Sequence, residues 1–224
     1  SCWPKRKRHS LSQLESLLYG MERAGVKNLL ALTGDYSAEA FQGGAGPVFD
    51  LDAVQLLRLI GEMNDGLEIP TFRGTTRLAP THFFPGAVVS PFKALESELM
   101  GQYYKLGKKL EAGAQFIIPQ VGYDARKMHE LRLMIKLLGH DDVPLVGNIY
   151  VLTRPAARFM NRNGVPGCVV TDKLLETINE EAKAKDRGKA KAMERAAKMY
   201  AILKGMGYKG AHIGGHGFKY EQVE

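Results

Sequence analysis

Five short apolar runs in this chain stop on residues that can do chemistry or admit a ligand. NLLALTGD (28–35) stops on Gly34-Asp35, and PGAVVSP (85–91) on Ser90-Pro91. AQFIIPQ (114–120) stops on Pro119-Gln120, with Asp124 just beyond. VPLVGN (143–148) stops on Gly147-Asn148, and GAHIGG (210–215) carries His212 into Gly214-Gly215. Each run is apolar without alternation, as strands buried on both faces are. The polar residue or glycine stands at the carboxyl end every time. In parallel α/β folds, and above all in (β/α)8 barrels, that end carries the ligand-binding and catalytic groups. Asp35 then offers a carboxylate to a site, and Gly34 lets a ligand come close to the backbone. For a single strand the plainer reading, an aspartate capping a turn, would be preferred. Repetition along the chain favours a site.

Other chemical candidates are weaker. Lys108 and Lys109 are adjacent cations near a helix end, suited to a phosphate group or to plain solvation. His212 and His216 have the spacing of helical zinc ligands, but the intervening Ile-Gly-Gly is not helical, so they do not read as a metal pair. GGAG (43–46) lacks the Lys-Ser/Thr of a phosphate-binding loop and reads as a flexible loop. Cys168, after Gly167, reads as a small buried hydrophobe.

The elements that position these residues follow from periodicity. Leu11, Leu14, Leu17, Leu18 and Met21 share one helical face over residues 10–25, with Ser10 and Gln13 as a capping box and Gly25 as the stop. Asp50 can cap a helix over 51–64. Further helices are expected over 93–113, 124–139 and 154–163, and a long stretch over 171–207 is expected to break near Gly188. Strands and helices alternate, which predicts an α/β fold with a parallel sheet in a single domain over 1–224. Five strands are counted, against the eight of a closed barrel.

Composition sets bounds. The 224 residues are 45% hydrophobic and 25% charged, with two cysteines and a net charge of +7. Those values suit a globular protein of a reducing cytoplasm, and no run is apolar enough to cross a membrane. Much of the positive charge lies in 4–9 and 182–198. Acids are mixed into the second stretch, so it reads as a solvated surface and not as a nucleic-acid footprint. A basic balance also suits a phosphate-bearing cofactor or an anionic substrate.

Several stretches, in order, resemble the methylenetetrahydrofolate reductase family. NLLALTGD resembles the family's strand-four segment, and GPVFDLDAVQLL (46–57) the opening of its next helix. KKLEAGAQFIIPQVGYD (108–124) resembles its strand-six signature, and PLVGNIYVLTRPAARFM (144–160) its strand-seven stretch. GYKGAHIGGHGF (207–218) stands where its last strand does. The resemblance implies a (β/α)8 TIM barrel whose first two βα units are absent from this chain. The general-acid Glu of the family's first strand then has no counterpart here.

The resemblance further implies an FAD-dependent oxidoreductase of one-carbon metabolism. Reduced FAD would pass a hydride to methylenetetrahydrofolate, giving methyltetrahydrofolate, a methionine-biosynthesis step. Thr33, Gly34 and Asp35 would lie against the flavin. Asp35 would also stabilise positive charge developing on the folate. Gln120 would hydrogen-bond the pterin near the hydride path, where an amide donates and accepts at once. Lys108 and Lys109 would hold the FAD diphosphate, and Phe49 would flank the cofactor. Gln102 and Lys105 lie near positions that contact FAD in relatives, but differ in type from the residues expected. The family's donor is NAD(P)H or a redox partner protein; GGHGF lacks the aromatic and Arg residues that nicotinamide-using members often carry there, which points to a ferredoxin or another partner protein instead of the nicotinamide. A homo-oligomer is compatible with the family. Neither a membrane nor nucleic acid is expected as partner. The rival readings are a folate- or corrinoid-linked methyltransferase barrel, and a non-catalytic relative acting as a subunit.

Overall fold

The computed structural model describes residues 10–33, 50–162 and 164–215. The chain divides into two compact units, 1–88 with 105–116, and 89–104 with 117–224.

In the first unit, α1 (Leu11–Arg23) starts as its sequence dictates. Ser10 Oγ accepts from the Gln13 N–H at 3.4 Å, and Gln13 Oε1 accepts from the Ser10 N–H at 2.9 Å. This reciprocal pair satisfies two donors that a helix start leaves open. The helix buries Leu14, Leu18 and Met21, and Gly25 follows with φ +76°. β1 (Asn28–Ala31) comes next, and α2 (Ala53–Asp65) packs on it. The cap of α2 is Asp52, not Asp50 as its sequence suggested. Asp52 Oδ1 accepts from the N–H groups of Val54 and Gln55, whereas Asp50 Oδ2 accepts from the Leu11 N–H at 2.9 Å. Both carboxylates can cap; a long-range partner took one of them.

β2 (Glu68–Thr71) and β3 (Gly74–Arg77) form an antiparallel hairpin that the sequence reading missed. Its residues are nearly all exposed. An exposed two-stranded ladder needs no apolar alternation, so it leaves no periodic signal. β4 (Phe84–Val89) then pairs with β1 in parallel, Asn28 opposite Phe84 and Ala31 opposite Ala87. Asn64 secures the entry to β4. Its Oδ1 accepts from the Thr81 hydroxyl and the Phe83 N–H, and its Nδ2 donates to the Phe83 carbonyl.

Gly86 in β4 lies beneath Phe116, whose ring stacks on Phe84 with centroids 5.5 Å apart. A Cβ on Gly86 would fall 2.3 Å from the Phe116 ring. Gly86→Ala must therefore displace the ring and break that stack. The expected cost is about 1–3 kcal/mol, as for other overpacked sites. Urea unfolding checks it, and an unchanged midpoint would show that the ring moves freely.

α3 (Glu96–Glu111) begins in the second unit and ends in the first, and β5 (Phe116–Pro119) leads back into the second. There α4 (Ala125–Leu137) is capped by Asp124, which accepts from the Arg126 N–H at 2.9 Å. β6 (Val146–Val151), α5 (Arg154–Asn161), α6 (Asp172–Glu181), α7 (Lys189–Gly205) and β7 (Gly210–Gly215) follow. β6 and β7 pair in parallel from Val146 opposite Gly210 to Val151 opposite Gly215. Ile117 bridges Leu145, also in parallel. α7 packs on β6, and Tyr208, after α7, donates to the Met128 carbonyl of α4 from a buried position.

β6 lies three residues later than VPLVGN predicts. Gly147 and Asn148, read as its end, lie inside the strand. A Cβ on Gly147 would fall 2.5 Å from Leu203 of α7, so the glycine serves helix-on-sheet packing. Asn148 Nδ2 donates to the Pro119 carbonyl at 3.2 Å, which ties β6 to β5. The break expected near Gly188 is present: Gly188 has φ +79° and precedes α7.

Among the described residues there are seven helices and seven strands. The strands form three sheets, ordered β1-β4-β5, β2-β3 and β6-β7, and none of these closes on itself. Parallel strands alternating with helices make the fold α/β. No described helix is long and apolar enough to cross a membrane.

Candidate active site

The second unit contains a cavity of about 920 Å³ at the carboxyl ends of β5 and β6. Gln120 reaches it from the end of β5, and Tyr150, Thr153 and Arg154 from the end of β6 and the start of α5. Phe159 and Met160 of α5, with Val121, Val165 and Cys168, supply apolar lining. Arg187, from the connection between α6 and α7, and Lys189, the first residue of α7, also line it. The lining thus has aromatic and aliphatic surface, an amide, the hydroxyl-bearing Tyr150 and Thr153, and three cations, and no carboxylate.

Gln120 is held by its own carboxamide. Oε1 accepts from the Val121 N–H at 2.9 Å, and Nε2 donates to the Pro166 carbonyl at 3.1 Å. These bonds fix which end of the amide faces which way. One N–H and one lone pair remain for a ligand. Gly167 makes this possible. It has φ +78°, and a Cβ there would sit 3.4 Å from Gln120 Nε2 and 3.3 Å from Ser90 Oγ. The Ser90 hydroxyl oxygen is buried and has no hydrogen-bond partner among the described residues.

Thr153 is the N-cap of α5 but makes no side-chain cap bond. The helix start therefore keeps open N–H groups and the positive end of its dipole, which favour an anion. Tyr123 lies behind the wall and donates its hydroxyl to the Tyr150 carbonyl at 3.3 Å; burial pushes its pKa well up. Cys168 is buried, and burial raises its thiol pKa as well, so it packs as a small hydrophobe.

The other expected site residues lie elsewhere. Thr33 is exposed, two residues past β1, while Gly34, Asp35 and Phe49 fall outside the described residues. Lys108 and Lys109 are adjacent in sequence but diverge. Lys108 pairs with Glu111 at 2.9 Å on the surface. Lys109 is only 8% exposed, and its ammonium donates to the Val88 carbonyl at 2.6 Å. Burial, with repulsion from Lys105, pulls its pKa down to about 8, partly offset by Asp52. Lys105 itself pairs with Asp52 at 3.5 Å. Asp124 caps α4, and His212 Nδ1 lies 3.2 Å from Asn148 Oδ1, while His216 lies outside the described residues.

Residues 6–215 match the family model described as methylenetetrahydrofolate reductase. The chain belongs to the methylenetetrahydrofolate reductase family. No curated protein matches it. Among solved structures, one described as an uncharacterized protein from Clostridium thermocellum that binds two copies of 5-methyl-5,6,7,8-tetrahydrofolic acid is similar in fold. The TM-score is 0.59 at 11% identity, over 99% of this chain and 68% of that one.

For a methylenetetrahydrofolate reductase family member, four polar lining residues were not legible in the sequence. Thr153 and Arg154 were missed because the end of β6 was placed at Gly147-Asn148. Arg187 and Lys189 were read as part of a solvated charged stretch. The only usable signal was Gly188, which marks the turn that carries Arg187 and Lys189 to the cavity.

Proposed function

We propose that this chain reduces 5,10-methylenetetrahydrofolate to 5-methyltetrahydrofolate in the cytoplasm, using FAD bound to a single (β/α)8 barrel domain. The observation that carries this reading is the cavity beside Gln120. Its apolar and aromatic walls suit a flat pterin and aminobenzoyl body. Its three cations suit the glutamate carboxylates, and Gln120 offers the donor and acceptor that a pterin edge requires. The similarity in fold to a protein described as binding 5-methyltetrahydrofolic acid supports the same reading.

Lys109 fits the diphosphate of FAD. It is a buried ammonium whose hydrogen bond goes to a neutral carbonyl, and its lowered pKa reports charge that its surroundings do not balance. A diphosphate oxygen would supply that balance. Lys108 would add a second cation by leaving its surface pair with Glu111, an exchange of small cost. Reduced FAD, when bound, supplies the hydride. Gln120 would orient the pterin, and Thr33, Gly34 and Asp35 would lie against the flavin. The Asp35 carboxylate stabilises positive charge on the folate as its five-membered ring opens. NAD(P)H or a redox partner protein supplies the electrons, and the protein can act as a homo-oligomer.

The test is an absorption spectrum of the purified protein before and after FAD is added, followed by anaerobic photoreduction. We expect a bound-flavin spectrum that methylenetetrahydrofolate reoxidises. A protein that takes up no FAD yet binds 5-methyltetrahydrofolate would overturn the reductase reading in favour of a flavin-free folate protein.

A further inference from the structure

We propose that the outer edge of β3 pairs with the same edge of a second copy of this chain, joining two β2-β3 hairpins into one antiparallel sheet about a twofold axis at Thr76. This gives the homo-oligomer of the preceding reading a surface and does not depend on the folate chemistry. Three observations carry it.

The first is an open ladder. β2 and β3 form a sheet of their own, with no third strand among the described residues. Glu68, Pro70, Thr71 and every residue of β3 are exposed. A two-stranded ribbon is marginally stable alone in water, and its free edges invite a further strand. Local bonds fix its shape. The Thr71 hydroxyl donates to the Gly74 carbonyl at 2.7 Å, the Leu78 N–H donates to the Leu67 carbonyl at 2.8 Å, and the Arg77 guanidinium donates to the Asp65 carbonyl.

The second is a difference between its two edges. Bonded and non-bonded rungs alternate along an antiparallel pair. The bond from Leu78 to Leu67, with Ile69 opposite Thr76 and Thr71 opposite Gly74, makes these the bonded rungs. Glu68 and Pro70 of β2, and Thr75 and Arg77 of β3, therefore turn their backbone groups outward. Pro70 has no N–H, which blunts the β2 edge. The β3 edge keeps its donors and acceptors at Thr75 and Arg77.

The third is self-complementarity, which names the occupant. Pairing β3 with its own copy about Thr76 sets Thr75 opposite Arg77 of the second copy, and Arg77 opposite Thr75. Both are bonded rungs, of two hydrogen bonds each. Thr76 meets Thr76 across the axis on a non-bonded rung, where side chains sit close and threonines pair well. Glu68, opposite Arg77 within each hairpin, balances that cation. A register about Thr75 would instead set Arg77 against Arg73, and like charges directly opposite are destabilising. Phe72, at the tip, is fully exposed and lies four residues before Thr76, and Pro80 lies four residues after it. The axis thus carries each Phe72 ring to the Leu78-Ala79-Pro80 stretch of the other copy, where Ala79 and Pro80 are exposed. A second copy satisfies tip and base at once, which a single foreign strand does not.

The interface is small, so the dimer is reversible, with a Kd on the order of 10–100 µM. The experiment is sedimentation equilibrium of the purified chain over about 1–300 µM, a range that brackets this Kd. We expect a monomer–dimer equilibrium. Thr76→Glu and Thr76→Lys should each weaken it roughly tenfold or more, because like charges then face each other across the axis. An equimolar mixture of the two variants should dimerise at least as well as the wild type. Phe72→Ser should weaken the dimer roughly tenfold, as loss of an aromatic anchor does. Pro70→Ala, on the other edge, should not weaken it. A chain that stays monomeric throughout would overturn the pairing and the oligomer with it. An oligomer indifferent to Thr76 and Phe72 would overturn the pairing alone and place the interface elsewhere. Loss of the dimer in both Thr76 variants, without rescue in the mixture, would overturn the twofold axis at Thr76. Flavin uptake and folate binding per chain should be equal in all these proteins, so a failure of the dimer is read separately from a failure of the reductase reading.

Discussion

Lys109→Met is expected to make the protein more stable near neutral pH and to weaken FAD binding roughly 30-fold. The two effects have one cause. At neutral pH the Lys109 ammonium is charged, buried and balanced by a single carbonyl. Its pKa is about 8 in the fold against 10.5 in an unfolded chain. Between those values the unfolded chain holds a proton that the folded one has released, so stability rises with pH across the window. Below pH 8 the folded protein carries the full cost of the buried charge, about 3 kcal/mol. Methionine fills similar space without charge and removes that cost, less about 1 kcal/mol for the lost hydrogen bond. The advantage of the variant should therefore be largest at pH 7 and shrink through pH 8–10.5 as wild-type Lys109 becomes neutral. Comparing the two proteins by urea unfolding cancels every other titrating group. A stability difference that does not vary over this window would remove the buried-charge account. The loss of FAD affinity follows from deleting a charge-assisted hydrogen bond to phosphate, worth about 2 kcal/mol. Unchanged affinity would place the diphosphate elsewhere.

Gln120→Leu is expected to weaken binding of 5-methyltetrahydrofolate by roughly two orders of magnitude. The substitution keeps the side chain's bulk but deletes every polar atom at the end of β5. The ligand loses a donor and an acceptor, about 1 kcal/mol or more each, and its buried pterin edge keeps unpaired groups that raise the cost further. The Val121 N–H and the Pro166 carbonyl also lose their partners, so the loop through Gly167 should loosen. Gln120→Glu separates these effects. Its carboxylate still accepts from the Val121 N–H but repels the Pro166 carbonyl and cannot donate to a pterin. It should bind folate poorly while FAD uptake stays as in the wild type. Tight folate binding by both variants would exclude Gln120 from the pterin contact.

Much of this protein was legible before its structure. The capping box at Ser10 and Gln13, the stop at Gly25 and the break at Gly188 depend on groups within a few residues of one another. Local chemistry of that kind acts wherever the chain goes. The α/β class was legible for a similar reason: strands buried on both faces are apolar throughout, and helices between them repeat on another period. The carboxyl end of β5, with Gln120, was legible because Pro119 and the signature around it bound the strand tightly.

What the sequence did not determine were choices made by distant partners. Gly147 and Asn148 look like a strand end, yet Leu203 needs the missing Cβ and the Pro119 carbonyl needs the amide. Both therefore lie inside β6, and the cavity edge moved to Thr153 and Arg154. Asp50 and Asp52 are equal as caps until Leu11 claims the first. Lys108 and Lys109 are one dipeptide, separated into a surface ion pair and a buried ammonium by the face of α3 each occupies. Arg187 and Lys189 read as solvated charge because periodicity records which residues avoid water, and not what an exposed cation faces. Only the turn at Arg187-Gly188 carries them to the cavity. Sequence by itself determined most of the buried elements, their class and the family. Tertiary structure decided which side chains meet, because burial and pairing depend on atoms far apart in the chain.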